Sequence, residues 1–234
     1  MKATDYSIFN ALGDIIAAPG TALEQIRSRT SWLWWPLLIN LVLGVAAALY
    51  YVYWVDFPWL VDDVIAHLPQ GSGSQAADAI HKFMSPGKNA ITSGVGITVV
   101  TFLIYTLEAA YFHLANKLGS GADVGFGQWF SLASWSGFVN VFGALAVFVV
   151  ILTASTNQLP QQALSPLSLN GLVIHAEPGQ PWFTWGSSLS LLTFWNIILL
   201  GMGYARWTGS PTPKAMLVTL IPWVLIFGAW AFMQ

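Results

Sequence analysis

Residues 32–53, WLWWPLLINLVLGVAAALYYVY, form a stretch of 22 residues without one charged side chain. A helix rises about 1.5 Å per residue, so about 20 apolar residues cross the roughly 30 Å hydrocarbon core of a bilayer. Tryptophan and tyrosine lie at both ends of the stretch, and their amphipathic rings favour the two membrane–water interfaces. The stretch is therefore predicted to be a transmembrane helix.

Four further windows of similar character follow along the chain. With the first, the predicted spans are 32–53, 91–114, 129–153, 185–204 and 215–232. Glu108 is the only charged residue within them. Because the windows are apolar throughout rather than alternating, helices are favoured over the strands of a membrane barrel. The predicted fold class is all-α, a polytopic membrane helix bundle with five transmembrane helices.

The composition of the whole chain of 234 residues agrees with this fold class. Hydrophobic residues make up 56% of it and charged residues 8%, against about 25% charged residues in an ordinary soluble domain. That leaves too little polar surface to coat a soluble globule. The formal net charge is −2 and no basic run is present, so no nucleic-acid partner is expected. The absence of cysteine excludes disulfides and thiolate chemistry.

The distribution of Lys and Arg predicts the orientation, because cytoplasmic loops carry an excess of positive charge. With a cytoplasmic N-terminus, six basic residues lie on the cytoplasmic side and two on the other. The six are Lys2, Arg27, Arg29, Lys117, Arg206 and Lys214, and the two are Lys82 and Lys88. Residues 1–31 contain no signal-peptide pattern. We therefore expect a multi-pass protein of the inner (cytoplasmic) membrane with an extracytoplasmic C-terminus.

The domain organisation predicted from these spans has two parts. Residues 1–31 form a cytoplasmic amphipathic segment, and residues 32–234 form the five-span membrane domain. Apolar residues recur in the segment at helical spacing on both sides of Pro19. Two arrangements are consistent with that spacing: short helices lying in the headgroup region, or helices packed on the underside of the bundle itself.

Two long extracytoplasmic loops are predicted, at 54–90 and 154–184. In the first, residues 59–68 and 75–84 each have an apolar side typical of a helix, and a Gly/Ser linker at 71–74 separates them. The second loop contains four prolines and is expected to be mostly extended or turning. Its apolar side chains are expected to pack on other loops or to enter the membrane interface.

Glu108 is the most informative polar residue, since a carboxylate within a span usually faces a bundle interior or a cavity. The same face of its predicted helix carries Gly94, Thr98, Thr101 and Tyr105. Such a seam of small and polar residues is typical of a face that contacts other helices rather than lipid.

Three asparagines lie at comparable depth in other predicted spans, namely Asn40, Asn140 and Asn196. Counted from the cytoplasmic ends of the spans, these residues and Glu108 lie roughly 9–17 Å deep. One carboxyl group and three amides can therefore form an intramembrane polar cluster. It would serve either as interhelical hydrogen bonds, worth about 0.6–2 kcal/mol each, or as a proton or cation site in a half-channel.

The histidines of the predicted outer loops are the other candidates for chemistry. Asp63 and His67 are four residues apart, which places them on one face of a helix, and His81 and His175 lie in the same loops. Zinc needs three or four ligands at about 2 Å, and the sequence has no dense motif such as HExxH. Asp–His pairs at helical spacing are usually solvated, so neither a metal nor another cofactor is predicted.

Enzymatic activity is not predicted. The sequence contains no nucleophile elbow, no phosphate-binding P-loop and no dinucleotide fingerprint. A membrane protease would need a Ser–His pair or two aspartates within the spans; the predicted spans contain no aspartate, and their one histidine, His113, lies at the cytoplasmic end of the second span, where it marks the interface. The glycine-rich residues 118–121 fall in a short connection, where turn chemistry accounts for them.

The layout resembles the Yip family, five-span membrane proteins named for interaction with Ypt/Rab GTPases, in its bacterial branch. Residues 110–121 (AYFHLANKLGSG) resemble the aromatic and small end of the second span with its glycine turn, and 126–130 (FGQWF) the entry to the third span. The amphipathic segment containing Pro19, the end of the fourth span at 200–203 (LGMG) and Pro222 in the fifth complete the resemblance.

The resemblance covers nearly the whole chain and implies a polytopic protein with a cytoplasmic N-terminus and no known catalytic residues. The chain lacks the long acidic N-terminal region and the DLxGP-type segment of eukaryotic members. GTPase binding is therefore not carried over with the resemblance.

Two functions are consistent with these observations. The first is a non-enzymatic integral membrane protein that acts as a scaffold or binding partner in membrane organisation. The alternative is a small transporter or permease component that uses the Glu/Asn cluster. Expected partners are membrane lipids and a membrane protein or a second copy of the chain, to which Gly44 and Ala48 would offer a small-residue face.

Overall fold

The computed structural model describes residues 6–68 and 73–234. In these residues the chain forms eleven α-helices and no strand apart from one isolated bridge, which confirms the predicted all-α fold class. The helices are α1 (Ile8–Ala17), α2 (Pro19–Ile26), α3 (Trp34–Trp54), α4 (Phe57–Ala66), α5 (Gly73–Phe83), α6 (Pro86–Leu118), α7 (Phe126–Ser136), α8 (Val141–Thr153), α9 (Phe183–Ser188), α10 (Leu191–Thr208) and α11 (Thr212–Ala231). Of the predicted linker at 71–74, residues 71 and 72 lie outside the described residues.

Four helical stretches of the described residues are long and apolar enough to cross a membrane. They are Thr30–Trp54, Pro86–Leu118, Phe126–Thr153 and Thr212–Ala231. These stretches overlap the first, second, third and fifth predicted spans. α10 overlaps the fourth, but it has only 18 residues, carries Arg206 in its last turn and is not among the four.

α6 is longer than the window that predicted it, with 33 residues from Pro86 to Leu118. Proline at the first helical position is pre-organised for the helix and lacks an N–H group that would have no partner there. The helix is about 50 Å long, which exceeds the hydrocarbon core of a bilayer. Its two ends therefore extend beyond the apolar stretch.

The predicted third span, 129–153, is not one continuous α-helix. A 3₁₀ turn at Gly137–Asn140 separates α7 from α8. The Asn40 side-chain amide donates a hydrogen bond to the Gly137 carbonyl (2.8 Å), so a polar side chain supplies a partner for a carbonyl at the break. Inserted side-chain hydrogen bonds and glycine–serine pairs are known causes of such interruptions.

The predicted fourth span, 185–204, is interrupted as well. Leu189 has an extended backbone (φ −110°, ψ 134°) between α9 and α10, and Ser190 pairs with Ser168 in an antiparallel bridge. The carbonyl of Leu189 accepts a hydrogen bond from the Leu169 N–H (2.7 Å). Backbone pairing with the preceding loop thus competes with the helix over these residues, and no apolarity pattern reveals it.

Chain packing divides the protein into two compact units. Unit 1 comprises Met1–Asn40, Val100–Asn140 and Leu192–Ala229, and unit 2 comprises Leu41–Val99, Val141–Leu191 and Trp230–Gln234.

In unit 1, the N-terminal helices α1 and α2 are packed against the protein itself. Ile15 and Leu23 are fully buried. The Leu23 carbonyl accepts a hydrogen bond from the Trp207 indole N–H (2.8 Å), and the Arg27 carbonyl accepts one from the Gln128 amide (3.0 Å). These bonds join α2 and the residue after it to α10 and α7.

The start of α1 is held by polar side chains. The Ser7 hydroxyl accepts a hydrogen bond from the Asn10 N–H (3.2 Å) as an N-cap. Partial burial, together with the hydrogen bond that the Tyr6 hydroxyl donates to Asp14 (2.9 Å), raises the pKa of Tyr6 above its ordinary value.

A cluster of aromatic rings forms the centre of unit 1. Trp129 stacks on Phe112 (centroids 5.8 Å apart) and on Tyr204 (5.6 Å), and it packs against Trp207 (5.7 Å). All four side chains are buried. α7, from which Trp129 projects, is buried along most of its length, so the side chains of this helix form the interior of the unit.

Unit 2 has a core of its own, built from α3, α4, α6 and α8. It contains Tyr51, Val52, Val55, Leu60, Ala90 and Ile151. The Tyr51 hydroxyl donates a hydrogen bond to the Leu159 carbonyl (2.7 Å), and the Asp56 N–H donates one to the Asn157 carbonyl (2.9 Å). These bonds attach the start of the loop 154–184 to the last turn of α3 and to the residue that precedes α4.

Gly44 lies in the packing between α3 and α6 rather than on an open face. A Cβ atom at Gly44 would contact Ile97, and one at Gly94 would contact Val45. The small residue that was expected to favour a homodimer therefore contacts another helix of the same chain in unit 2.

Candidate functional site

The polar face of α6 that was predicted from the sequence is buried in unit 1 at Tyr105 and Glu108. Tyr105 is 4% exposed. Both carboxyl oxygens of Glu108 are buried, and neither has a hydrogen-bond partner. The two side chains are three residues apart on a helix and so lie on one face.

Tyr105 is packed directly against the break between α7 and α8. Its phenol ring occupies the space that a Cβ atom at Gly137 would fill, so only glycine accommodates this approach. The Asn40 and Asn140 amides lie beside the Tyr105 hydroxyl, and Asn40 also donates to the Gly137 carbonyl (2.8 Å). Asn140 itself is exposed. Two of the three predicted asparagines therefore meet at Tyr105.

Asn196 on α10 is the amide that faces the Glu108 carboxyl group. It is 7% exposed, and its side-chain oxygen has no hydrogen-bond partner. No ion pair in the described part of the chain involves Glu108; the two that are present join His67 to Asp63 and Arg206 to Glu24. Glu108 and Asn196 thus face each other without forming a hydrogen bond.

The four predicted residues therefore fall into two adjacent groups within unit 1. Asn40 and Asn140 surround the Tyr105 hydroxyl, and Asn196 faces Glu108, which is less than one helical turn from Tyr105 on α6. The site has hydrogen-bond acceptors to spare, because oxygens of Asn40, Glu108 and Asn196 are buried without a partner. A group that brings donors or positive charge matches this arrangement.

Sequence reasoning did not identify the contribution of α7 to this interior. Its side chains hold four further buried polar atoms without a partner, the indole nitrogens of Trp129 and Trp135 and the hydroxyls of Ser131 and Ser136. The repeated pairing of tryptophan with serine in residues 129–136 was the available signal. This signal was not recognised, because serine and tryptophan also occur in ordinary transmembrane spans.

The candidate metal ligands of the outer loops do not converge in the described residues, which contain no group of three or more His, Asp and Glu side chains arranged to hold a metal. Asp63 on α4 and His67, the residue after that helix, are in contact, with 3.5 Å between Nδ1 and a carboxylate oxygen. His81 is on α5, and His175 ends a π-helical turn with a positive φ of 55°. Only the pair at helical spacing is in contact.

A comparison with known families places the chain. A family model described as the Yip1 domain matches residues 13–233, which include nearly all of both units. No match was found among curated proteins or among solved structures. The chain belongs to the Yip1 domain family.

Proposed function

We propose that this Yip1-family protein is a non-enzymatic scaffold or binding partner in membrane organisation. It crosses the inner (cytoplasmic) membrane five times, with α10 as the fifth span, a cytoplasmic N-terminus and an extracytoplasmic C-terminus. α10 is about 27 Å long, which is close to the roughly 30 Å core that it has to cross. The excess of Lys and Arg on the cytoplasmic side supports this orientation.

The observation that carries the scaffold role is the docked N-terminal segment. The side chains of Trp207 and Gln128 donate hydrogen bonds to the carbonyls of Leu23 in α2 and of Arg27 just after it, and α1 buries Ala11 and Ile15. A surface that is ordered before it meets a partner avoids the entropy cost of ordering on binding. The segment therefore offers a preformed binding surface.

Phe9 is the candidate anchor on this surface. It is 74% exposed on α1, whose opposite side buries Ala11 and Ile15. Exposed aromatic side chains on a rigid support are frequent hot spots of protein interfaces. The chemistry fits a partner with an apolar pocket close to the membrane surface.

The test is site-specific photo-crosslinking of the full chain in its native membrane, with the crosslinker at Phe9. We expect one discrete protein adduct, either a partner or a second copy of this chain, that mass spectrometry identifies. The matched control has the crosslinker at Phe232, which is 93% exposed near the C-terminus. The same adducts from both positions, or lipid adducts alone at Phe9, would contradict the scaffold role.

A small transporter or permease component is the second candidate, and one observation favours it. Glu108 and Asn196 bring buried acceptor oxygens together without a partner, although polar groups inside a membrane protein are normally paired. A proton or a monovalent cation would supply what these oxygens lack.

Flux measurements in proteoliposomes test this candidate. A transporter predicts that Glu108→Gln abolishes the pH dependence of proton or cation flux, whereas Glu177→Gln, in an exposed loop, leaves it unchanged. If wild-type vesicles are no more permeable than empty ones, the transport candidate fails and the scaffold role is unaffected.

A further inference from the structure

Two lysines of unit 2 converge on one aromatic ring where α5 meets α6. The Nζ atoms of Lys82 and Lys88 lie 5.6 and 5.5 Å from the centre of the Phe83 ring. Phe83 is 60% exposed, and both lysines are exposed as well. The arrangement places two positive charges next to one apolar anchor at the surface.

These lysines carry all the Lys and Arg charge of unit 2, which also contains five acidic residues: Asp56, Asp62, Asp63, Asp78 and Glu177. Nevertheless, neither lysine forms an ion pair within 4.0 Å in the described residues. If they served only to balance the acidic charge of their own unit, a carboxylate partner would be expected. Their charge is instead available to an external anion.

An apolar groove adjoins the two lysines. It is lined by Phe83, Met84, Lys88, Asn89, Ile91 and Thr92. From Ile91 onward, apolar side chains recur every four residues along α6, at Ile91, Val95 and Val99, and they are 69%, 56% and 57% exposed. Residues four apart lie on one face of a helix. A continuous apolar track therefore leads from the lysines along the helix.

Lys88 lies less than one turn before Ile91, where the apolar stretch of α6 begins. When the apolar stretch that starts at Ile91 lies in the hydrocarbon core, the first turn of the helix falls in the headgroup layer. Lysines at such a boundary keep their ammonium groups at the interface while the stems remain on apolar surface. In that placement the charge lies at phosphate depth and the track at acyl-chain depth.

We propose that this junction is a binding site for an anionic phospholipid. Lys82 and Lys88 bind the headgroup phosphate, Phe83 packs beside the glycerol region, and one acyl chain lies along Ile91, Val95 and Val99. The lipid site is independent of whether the chain is a scaffold or a transporter.

The test uses the full chain purified in a mild non-ionic detergent and titrated with lipids under native mass spectrometry. The probes are phosphatidylglycerol and phosphatidylcholine with the same acyl chains. We expect the wild type to bind phosphatidylglycerol more tightly. Lys82→Gln combined with Lys88→Gln should weaken that binding about 10- to 30-fold, since each basic residue near a membrane surface contributes about one factor of five.

The matched control combines Lys117→Gln with Lys214→Gln, two exposed lysines of unit 1. It should change binding by less than about twofold if the site is specific rather than a general charge effect. Equal loss in the control pair, or equal affinity of the wild type for both lipids, would overturn the site. The second outcome needs no variant, so a misfolded lysine variant leaves the test intact.

The source of the phosphate is tested with glycerol phosphate and inorganic phosphate as soluble competitors. A lipid site requires the acyl chain, so neither should displace phosphatidylglycerol at equal concentration. Val95→Asn, which interrupts the apolar track, should weaken lipid binding several-fold while the lysines remain in place. Full displacement by inorganic phosphate would show a simple anion site and refute the lipid assignment.

Discussion

Asn170 in unit 2 and Asn196 in unit 1 are buried asparagines with nearly equal exposure, 8% and 7%. The Asn170 side chain donates to the carbonyl of Ala176 and accepts from its N–H (both 3.0 Å). The Asn196 oxygen has no partner and faces the equally unpaired carboxyl group of Glu108. Burial is the same for the two residues, and only the pairing differs.

The contrast extends to the units as a whole. All buried side-chain nitrogens and oxygens without a partner in the described residues belong to unit 1. The buried polar residues of unit 2, Ser168 and Asn170, hold the backbone of the loop that contains them. A buried polar group that is paired stabilises the fold, whereas one without a partner is costly. The paired residues of unit 2 are therefore explained by stability, and the unpaired atoms of unit 1 need another explanation, such as a ligand or a partner.

Removing the aromatic centre of unit 1 should have the largest effect. Trp207→Ala deletes a side chain that is 2% exposed and the hydrogen bond that holds α2. We expect the free energy of unfolding to fall by about 3–5 kcal/mol. SDS titration of the purified chain in detergent measures it. The control is Trp34→Ala, at a side chain that is 51% exposed. If the control loses as much free energy of unfolding as Trp207→Ala, Trp207 is not a core residue of unit 1.

The break between α7 and α8 should be nearly as sensitive. A Cβ atom in Gly137→Ala collides with the Tyr105 ring, and we expect a loss of about 1–3 kcal/mol despite the better helix propensity of alanine. Gly96→Ala is the control, since nothing lies within 4 Å of a Cβ there. Unfolding is followed by tryptophan fluorescence. If Gly137→Ala is as stable as the control, the close approach of Tyr105 is not a requirement of the fold.

The two buried asparagines provide the direct comparison. Asn170→Ala leaves the Ala176 N–H and carbonyl without partners, so we expect a loss of about 2 kcal/mol. Asn196→Leu replaces an amide whose buried oxygen has no partner by an apolar group of similar size, so we expect a change within about 0.5 kcal/mol. Thermal unfolding of both variants in one detergent measures the two stability losses. Equal losses would remove the distinction between the units.

The smallest effect is expected at Glu108. Glu108→Gln keeps the shape of the side chain and breaks no ion pair, because Glu108 takes part in none in the described residues. The melting temperature should stay within the range of a surface substitution, about 0.5 kcal/mol in stability. A large loss would show that the carboxyl group is a structural element after all, and the transport candidate would lose its support.

The predictions from the sequence held where one property extended over many residues. Apolar stretches without charge led to helices that overlap all five windows, and the pattern of residues 54–90 led to α4 and α5. Predictions about the contacts of single residues were less complete. Glu108 was recognised because a carboxylate in a span is unusual, but that Asn196 is the amide facing it depends on how α6 and α10 pack. The interruptions at Gly137 and at Leu189 also went unpredicted, since both lie inside apolar stretches.

Membrane character and helical class follow from composition and run length, because the bilayer forces every backbone group in a span to be satisfied within its own helix. No such rule governs which helices meet. The approach of Tyr105 to Gly137, the docking of α2 by Trp207 and the convergence of Lys82 and Lys88 on Phe83 depend on side-chain packing between elements. A linear pattern carries no information about such contacts, because residues far apart in the chain create them only when the helices pack.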